Sequence, residues 1–258
     1  MLWVWVLVAA AAASCSVTTD ATPHPGACAL LEPIAWSPAG ESQDVPTDVV
    51  IRVRFDDYPD PDTLGSESLA MTTGFYWVPG VFRVDLLEKT VAMRPWRPLS
   101  PNLGHTVHLQ PTLHSLRGCV AEATTRSFRT GDGPTDAEPA PVVPPFADVQ
   151  ALFTSRCAGG CHAADDGACV ARPAAGLSLC ASEAFDALVD VPSRTKVELP
   201  LVDPGNSARS ILLRKLIPAT PEGGPLPSLL GHRDPPGPPL DRAEIATVAA
   251  WIDGGAMR

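Results

Sequence analysis

Cys157-Ala-Gly-Gly-Cys161-His162 is the stretch whose residue types could do chemistry. Two thiols on one short loop can form thioethers to the vinyl groups of a porphyrin, and an imidazole directly after the second can bind the iron. The usual attachment signature is Cys-x-x-Cys-His. Here the loop is one residue longer, and Gly159 and Gly160 can absorb that length because glycine reaches backbone angles other residues avoid. The same residues also suit a disulfide, or half of a zinc site completed by another ligand. The surroundings have to decide between them.

The chain has 258 residues, 45% of them hydrophobic, which is enough for two modest domains with real cores. Its 29 prolines cluster, as expected of linkers and irregular loops. A net charge of −10 with no basic run argues against a nucleic-acid partner, since phosphate binding needs a basic face. Residues 1–14 contain a short apolar run, too short to span a bilayer, which reads as the core of an export signal. Ala12-Ala13-Ser14-Cys15 resembles a bacterial lipobox, which implies a lipid on Cys15, a polar tether over 15–27 and attachment to the membrane in the cell envelope, periplasm or outer membrane.

Seven cysteines in an exported chain need accounting for, because free thiols oxidise there. With lipid on Cys15 and haem on Cys157 and Cys161, two pairs remain: Cys28 with Cys119, and Cys169 with Cys180. The sequence alone does not fix that connectivity.

The elements that must position these groups fall into two parts. Residues 28–133 read as all-β. Val49–Phe55 alternates between apolar and polar, the pattern of a half-buried strand. Phe75–Val78 and Val81–Val84 flank Pro79-Gly80 and suggest a hairpin. Thr90–Met93, His105–Leu109 and Thr124–Phe128 read as further strands, and the whole as a β-sandwich. His105 and His108 are three apart on one strand, so they point to opposite faces and do not share a metal; both read as solvated surface residues. Trp36, Trp77 and Trp96 read as core or rim residues. Ile34-Ala-Trp-Ser-Pro38, Val45-Pro-Thr47, Pro59-Asp-Pro-Asp-Thr-Leu64, Met93-Arg-Pro95, His105–Leu109 and Phe128-Arg-Thr-Gly131 follow the order of landmarks of a bacterial Ig-like domain of the SbsA type. That resemblance implies an Ig-like sandwich acting as spacer or adhesion module. A Cys28–Cys119 bridge would tie the entry segment to its late strands.

Residues 134–145 are Pro-rich and acidic, which predicts an extended, semi-rigid linker that keeps the two parts separate.

Residues 146–258 read as a small, mainly α domain. Phe146, Val149, Leu152 and Phe153 share one face of a helix that runs directly into Cys157. Ser182–Val189 and Ser207–Leu216 read as short helices, the second capped by Asn206 or Ser207. A last helix starts with the capping box Asp241-Arg-Ala-Glu244, buries Ile245, Val248, Trp251 and Ile252, and ends at Gly254-Gly255. Together with Ala174-Ala-Gly-Leu-Ser-Leu179, Ala184–Ser193, Val202-Asp-Pro-Gly-Asn-Ser207 and Pro235-Pro-Gly-Pro-Pro-Leu240, this resembles the c-type cytochrome domain found in bacterial lipoproteins.

The resemblance implies haem c held covalently by Cys157 and Cys161, with His162 as proximal iron ligand. It also implies first and last helices that cross beside the haem, with Phe153 and Trp251 as natural crossing residues. One position departs from the pattern. Relatives carry Met just before the Pro-Pro-Gly stretch as the second axial ligand, and here Asp234 stands there. His232, two residues earlier, is the candidate sixth ligand; a bis-His site would have a lower potential than His/Met.

The expectation is therefore a lipid-anchored, mono-haem electron carrier with an unidentified redox partner protein. No nucleophile-elbow motif or phosphate-cradling loop points to an enzyme. The alternative from another class is a structural or adhesive envelope lipoprotein whose cytochrome-like part carries no haem. A third is a small zinc site using Cys157, Cys161 and His162.

Overall fold

The computed structural model describes residues 30–135, 141–158, 161–164, 166–194, 196–217 and 239–258. The export signal, Cys15, Cys28, His232 and Asp234 lie outside the described residues.

The first part is a β-sandwich. One sheet has the order β1 (Pro33–Ser37), β3 (Ile51–Phe55), β7 (Thr90–Pro95), β6 (Gly80–Asp85). The other runs β2 (Ser42–Val45), β9 (Thr124–Thr130), β8 (Gly104–Leu109), β4 (Leu69–Thr73), β5 (Tyr76–Trp77), with β2 parallel to β9. The alternation seen in β3 does what it predicts: Ile51, Val53 and Phe55 are buried while Arg52 and Arg54 face out. They meet Val91 and Met93 from their own sheet, and Leu69, Met71, Val107, Leu109 and Phe128 from the opposite one, in a single apolar cluster.

The hairpin expected around Pro79-Gly80 is not there. β5 pairs with β4 across a turn at Gly74-Phe75, whereas β6 pairs with β7 in the other sheet. The chain therefore crosses between sheets at Val78-Pro79. Two local facts favour this. Gly74 holds a positive φ of 58°, which suits a tight turn. Gly80 lies so close to β7 that a β-carbon there would sit 2.8 Å from the Arg94 carbonyl oxygen.

The second part is helical and small: α1 (Phe146–Leu152), α2 (Ala184–Leu188), α3 (Ile211–Leu216) and α4 (Arg242–Asp253), with a short 3-10 turn at Ser207–Arg209. The capping box at Asp241 and Glu244 is present, and Ile245, Val248, Trp251 and Ile252 are the buried face of α4. Asn206 caps the 3-10 turn by accepting from the Arg209 amide. Helices α1 and α4 pack together, but the ring that meets Trp251 is Phe146, at 5.2 Å between centroids. Phe153 instead approaches the edge of Phe146.

The two parts are not held apart. Tyr58, Leu86 and Leu116 of the sandwich are buried in the same apolar cluster as Val149, Leu213 and Trp251. Polar contacts surround this seam. Arg83 donates to the Gly205 carbonyl at 3.0 Å, Arg209 pairs with Asp62, and Arg242 pairs with Glu88. The described linker residues are tied down as well. Thr135 donates its backbone N–H to Asp48 at 2.9 Å, and Val143 packs against Gly254 so tightly that a β-carbon there would collide with it. The expectation that the linker keeps the two parts separate fails because Leu86 on the β6–β7 turn, with Leu87 beside it, packs into the apolar cluster of the helices.

Candidate functional site

Helix α1 carries the chain to the cysteine loop, but not as a uniform helix. From Phe153 to Cys157 it widens into a π-turn. Such turns insert an extra residue and turn the next side chains to a new face. The hydroxyls of Thr154 and Ser155 donate back to the carbonyls of Gln150 and Ala151, at 3.0 and 2.9 Å. At the same level Arg156 bridges to Glu244, 2.7 Å away, in the first turn of α4. Glu244 is also the capping-box residue, so one carboxylate joins the end of α1 to the start of α4.

The cysteine loop is stitched to a single downstream segment. The Cys161 amide donates to Ala158, the Ala174 amide donates to the Cys161 carbonyl at 2.6 Å, and the Leu179 amide donates to the His162 carbonyl at 3.0 Å. Gln150 of α1 reaches the Leu179 carbonyl from the other side. The half-buried His162 ring then places Nδ1 2.9 Å from the Leu177 carbonyl oxygen. A carbonyl can only accept, so Nδ1 carries the proton in this bond. Nε2 is then the nitrogen with the free lone pair, the form in which imidazole binds a metal. A hydrogen bond from the far ring nitrogen to a backbone carbonyl is the usual device for fixing the orientation of a ligating histidine.

The segment that supplies Leu177 is itself held by local contacts. Ala175 and Gly176 both have positive φ, 52° and 68°, which turns the chain sharply before Leu177. Arg194 lies over Gly176 and donates to the Ala175 carbonyl at 2.6 Å. The Cys169–Cys180 disulfide, with sulfurs 2.03 Å apart, closes the loop at its base. The pairing expected of these two cysteines is present.

Cys119 and Cys161 are each disulfide-bonded, and Cys28, the expected partner of Cys119, lies outside the described residues. The bond at Cys161 matters chemically. Thioether formation consumes a thiol, so the oxidised form described here and a haem-bearing form are alternative fates of the same sulfur. Among the described residues, the group of potential metal-ligand atoms within 4.8 Å of one another is Cys169, Cys180 and Glu183. Its two sulfurs are already joined to each other, so it is not a thiolate donor set.

In the sandwich, His105 and His108 do face opposite sides of β8, but His105 is not solvated. It is only 3% exposed, stacks on Phe128 and contacts the Thr73 hydroxyl through Nδ1 at 2.6 Å. Burial pushes its pKa down from the ordinary histidine value. His108 is half-buried and meets the Thr72 hydroxyl at 3.1 Å. Among the described residues no helix is long and apolar enough to cross a membrane.

Sequence reasoning found Cys157, Cys161 and His162 from their spacing, and Ala174–Leu179 as a landmark. It did not find that Leu177 presents its carbonyl to His162. Gly176 is the one signal that could have pointed to the turn, and Arg194 left no signal.

No family model matches the chain, and no curated protein matches it. Several solved structures do. Domains 1–6 of the surface layer protein SbsC align at 14% identity and a TM-score of 0.32, over 44% of this chain and 14% of that one. CopC from Methylosinus trichosporium OB3b aligns at 12% identity and a TM-score of 0.34, over 42% of this chain and 99% of that one. L,D-transpeptidase 1 of Mycobacterium tuberculosis aligns at 21% identity and a TM-score of 0.29, over 40% of each chain. This chain thus spans about a seventh of the SbsC structure it matches. With TM-scores near 0.3, the sandwich rests on its own strand pairing rather than on these likenesses.

Proposed function

We propose that this chain is an exported, membrane-anchored protein of the c-type cytochrome-like kind, carrying one covalent haem and passing electrons to a partner protein. The observation that carries the reading is the His162 Nδ1–Leu177 carbonyl bond, which orients the imidazole and leaves Nε2 free for iron. The residue types suit the group once the Cys161 disulfide is opened: two cysteines on one short loop, and a half-buried imidazole whose Nδ1 is engaged by the Leu177 carbonyl. Cys157 and Cys161 would anchor the porphyrin and His162 would bind its iron. When bound, haem supplies a one-electron couple whose potential is set by axial ligation and burial. The chain's own contribution is positional. The bonds from Ala174 and Leu179 hold the loop, and α1, which leads into it, packs against α4. The lipid on Cys15 and the candidate sixth ligand, His232, belong to this proposal and lie outside the described residues.

A second reading has one observation in its favour. Cys161 is disulfide-bonded, and a cysteine kept in that state leaves an envelope protein in which the helical part is a haem-free scaffold. One experiment separates the two. The full chain is produced in a host with c-type maturation machinery, and a pyridine haemochrome spectrum is taken after acid–acetone extraction. A c-type α band that survives extraction, and that a Cys157→Ala/Cys161→Ala variant lacks, establishes covalent haem. Good export with no such band sinks the electron-carrier reading and leaves the scaffold.

A further inference from the structure

The four-stranded sheet of the sandwich turns one face to the core and the other to solvent. On the outer face β3 carries Arg52 and Arg54 and β7 carries Arg94, all three exposed. Arg52 lies beside Ala92 and Arg54 beside Thr90, so Arg94 is the diagonal neighbour of Arg52. Positions related in this way have β-carbons about 7 Å apart. Like charges held this close repel, which costs stability. The ion pairs among the described residues do not relieve the repulsion, since they are made by Arg117, Arg156, Arg209, Arg214, Arg242 and Arg258. Arg94 has Asp48 within electrostatic reach, but that carboxylate is engaged by Thr135. Asp85, in the same row as Arg54, is separated from it by Thr90 and accepts from the Glu88 amide.

The helical part leaves these arginines open. It meets the sandwich at β6 and the β6–β7 turn, where Arg83 donates to the Gly205 carbonyl and Leu86 is buried. Small residues stand between the arginines, Ala35 and Ser37 on β1 and Thr90 and Ala92 on β7, so the face is low in relief. A guanidinium pairs with two phosphate oxygens at once, and a low face studded with guanidinium groups suits a plane of phosphates. The place of this sheet in the chain says which plane. β1 is its edge strand and the first strand described. Residues 16–29 lie between Cys15 and the described fold, and a segment of that length reaches at most about 50 Å. A lipid on Cys15 would keep this sheet within reach of the bilayer surface.

We propose that the face formed by Arg52, Arg54 and Arg94 docks on the anionic phospholipid headgroups of the membrane that holds the chain. This docking rests on the membrane-anchored reading above and not on haem. The net charge of −10 does not oppose it. At about 0.1 M ionic strength the field of the headgroups fades within about 10 Å, so it acts on the face laid against them and little on acidic loops farther away. Docked, the sandwich holds the helical part at its β6 edge, opposite the β1 edge near which the tether enters.

The test uses the chain from Ser16 to Arg258, oxidised and without signal or lipid, which keeps every described residue. It is sedimented at about 0.1 M salt with vesicles of phosphatidylcholine alone or with about 30% phosphatidylglycerol. Binding to the anionic vesicles only is expected, weakening as salt is raised. Each arginine near an anionic surface contributes about fivefold to partitioning, so Arg52→Gln/Arg54→Gln/Arg94→Gln should bind at least about tenfold more weakly, with unchanged far-ultraviolet circular dichroism. Arg129→Gln/Arg172→Gln, which removes charge elsewhere on the surface, should bind like the parent. Equal binding to both vesicles, no binding to either, binding that survives the triple variant, or capture by poly-glutamate in place of vesicles would each overturn the proposal. The mass of the exported chain shows separately whether Cys15 carries lipid, so a missing anchor and a face that does not bind are told apart.

Discussion

Removing the Cys169–Cys180 bridge tests how the cysteine loop is held. Cys169 is exposed and Cys180 fully buried, so Cys169→Ser with Cys180→Ala removes the bond without burying a new hydroxyl. The bridge joins residues 11 apart in sequence, a short loop. In the chain-entropy account, opening a loop of that length frees the unfolded chain by about 3 kcal/mol. The melting shift depends on what unfolds with it. Because Leu86, Tyr58 and Leu116 share a core with the helices, the described parts should melt together. For a unit of that size 1 kcal/mol corresponds to about 2–4 °C, so the variant should melt about 6–12 °C lower in one transition. A separate helical part of about a hundred residues would instead show its own transition, about 12–24 °C lower. Differential scanning calorimetry of the haem-free protein reads both numbers. A fall of under about 2 °C would refute the reasoning, because loop closure would then contribute nothing to the fold. The same loop carries the Leu177 carbonyl, so under the proposed haem-binding function the variant should also show a lower yield of covalent haem than the parent.

Three further outcomes follow from the same geometry. Gly176→Ala puts a β-carbon at a φ of 68° and 2.8 Å from the Arg194 guanidinium, and should destabilise by about 1 kcal/mol or more, measured by urea unfolding. Arg214 is fully buried with both Nη atoms lacking hydrogen bonds, its Nε bonded to the Ala208 carbonyl and Asp62 4.0 Å away. Arg214→Met should therefore be neutral or stabilising, whereas Arg214→Ala should cost about 2–5 kcal/mol through the cavity it opens. His105 has its pKa lowered by burial, so below the ordinary histidine value the unfolded chain takes up a proton that the folded chain refuses. Stability is then full above about pH 6.5 and falls as pH drops below it, by at most about 1.4 kcal/mol per unit. His105→Phe should flatten that slope in unfolding curves taken between pH 7 and pH 5.

Legibility in the sequence followed how local each determinant is. Helix α4 was readable to the residue because its cap, its apolar face and its terminating glycines all lie within one contiguous stretch. β3 was readable for the same reason, since its alternation is strict. The hairpin at Pro79-Gly80 misled because a Pro-Gly pair marks a change of direction but not the strand that receives the chain. That depended on Gly80 fitting against β7, a contact between distant residues. His105 looked solvated because a polar residue in an alternating strand gives no hint that Phe128, 23 positions away, covers it. The cysteine loop was found by residue type alone. Its orientation depends on a backbone carbonyl, and every residue carries one, so composition could not single out Leu177.

The shared core has a consequence for transferability. Leu86 and Tyr58 fill space that the helices leave open, so residues 146–258 do not end at their own surface. Grafted onto another carrier, they would bring along a dent shaped to the β6–β7 turn and would expose the apolar walls around it. The piece that can be shuffled between proteins without repair is the pair, sandwich and helices together.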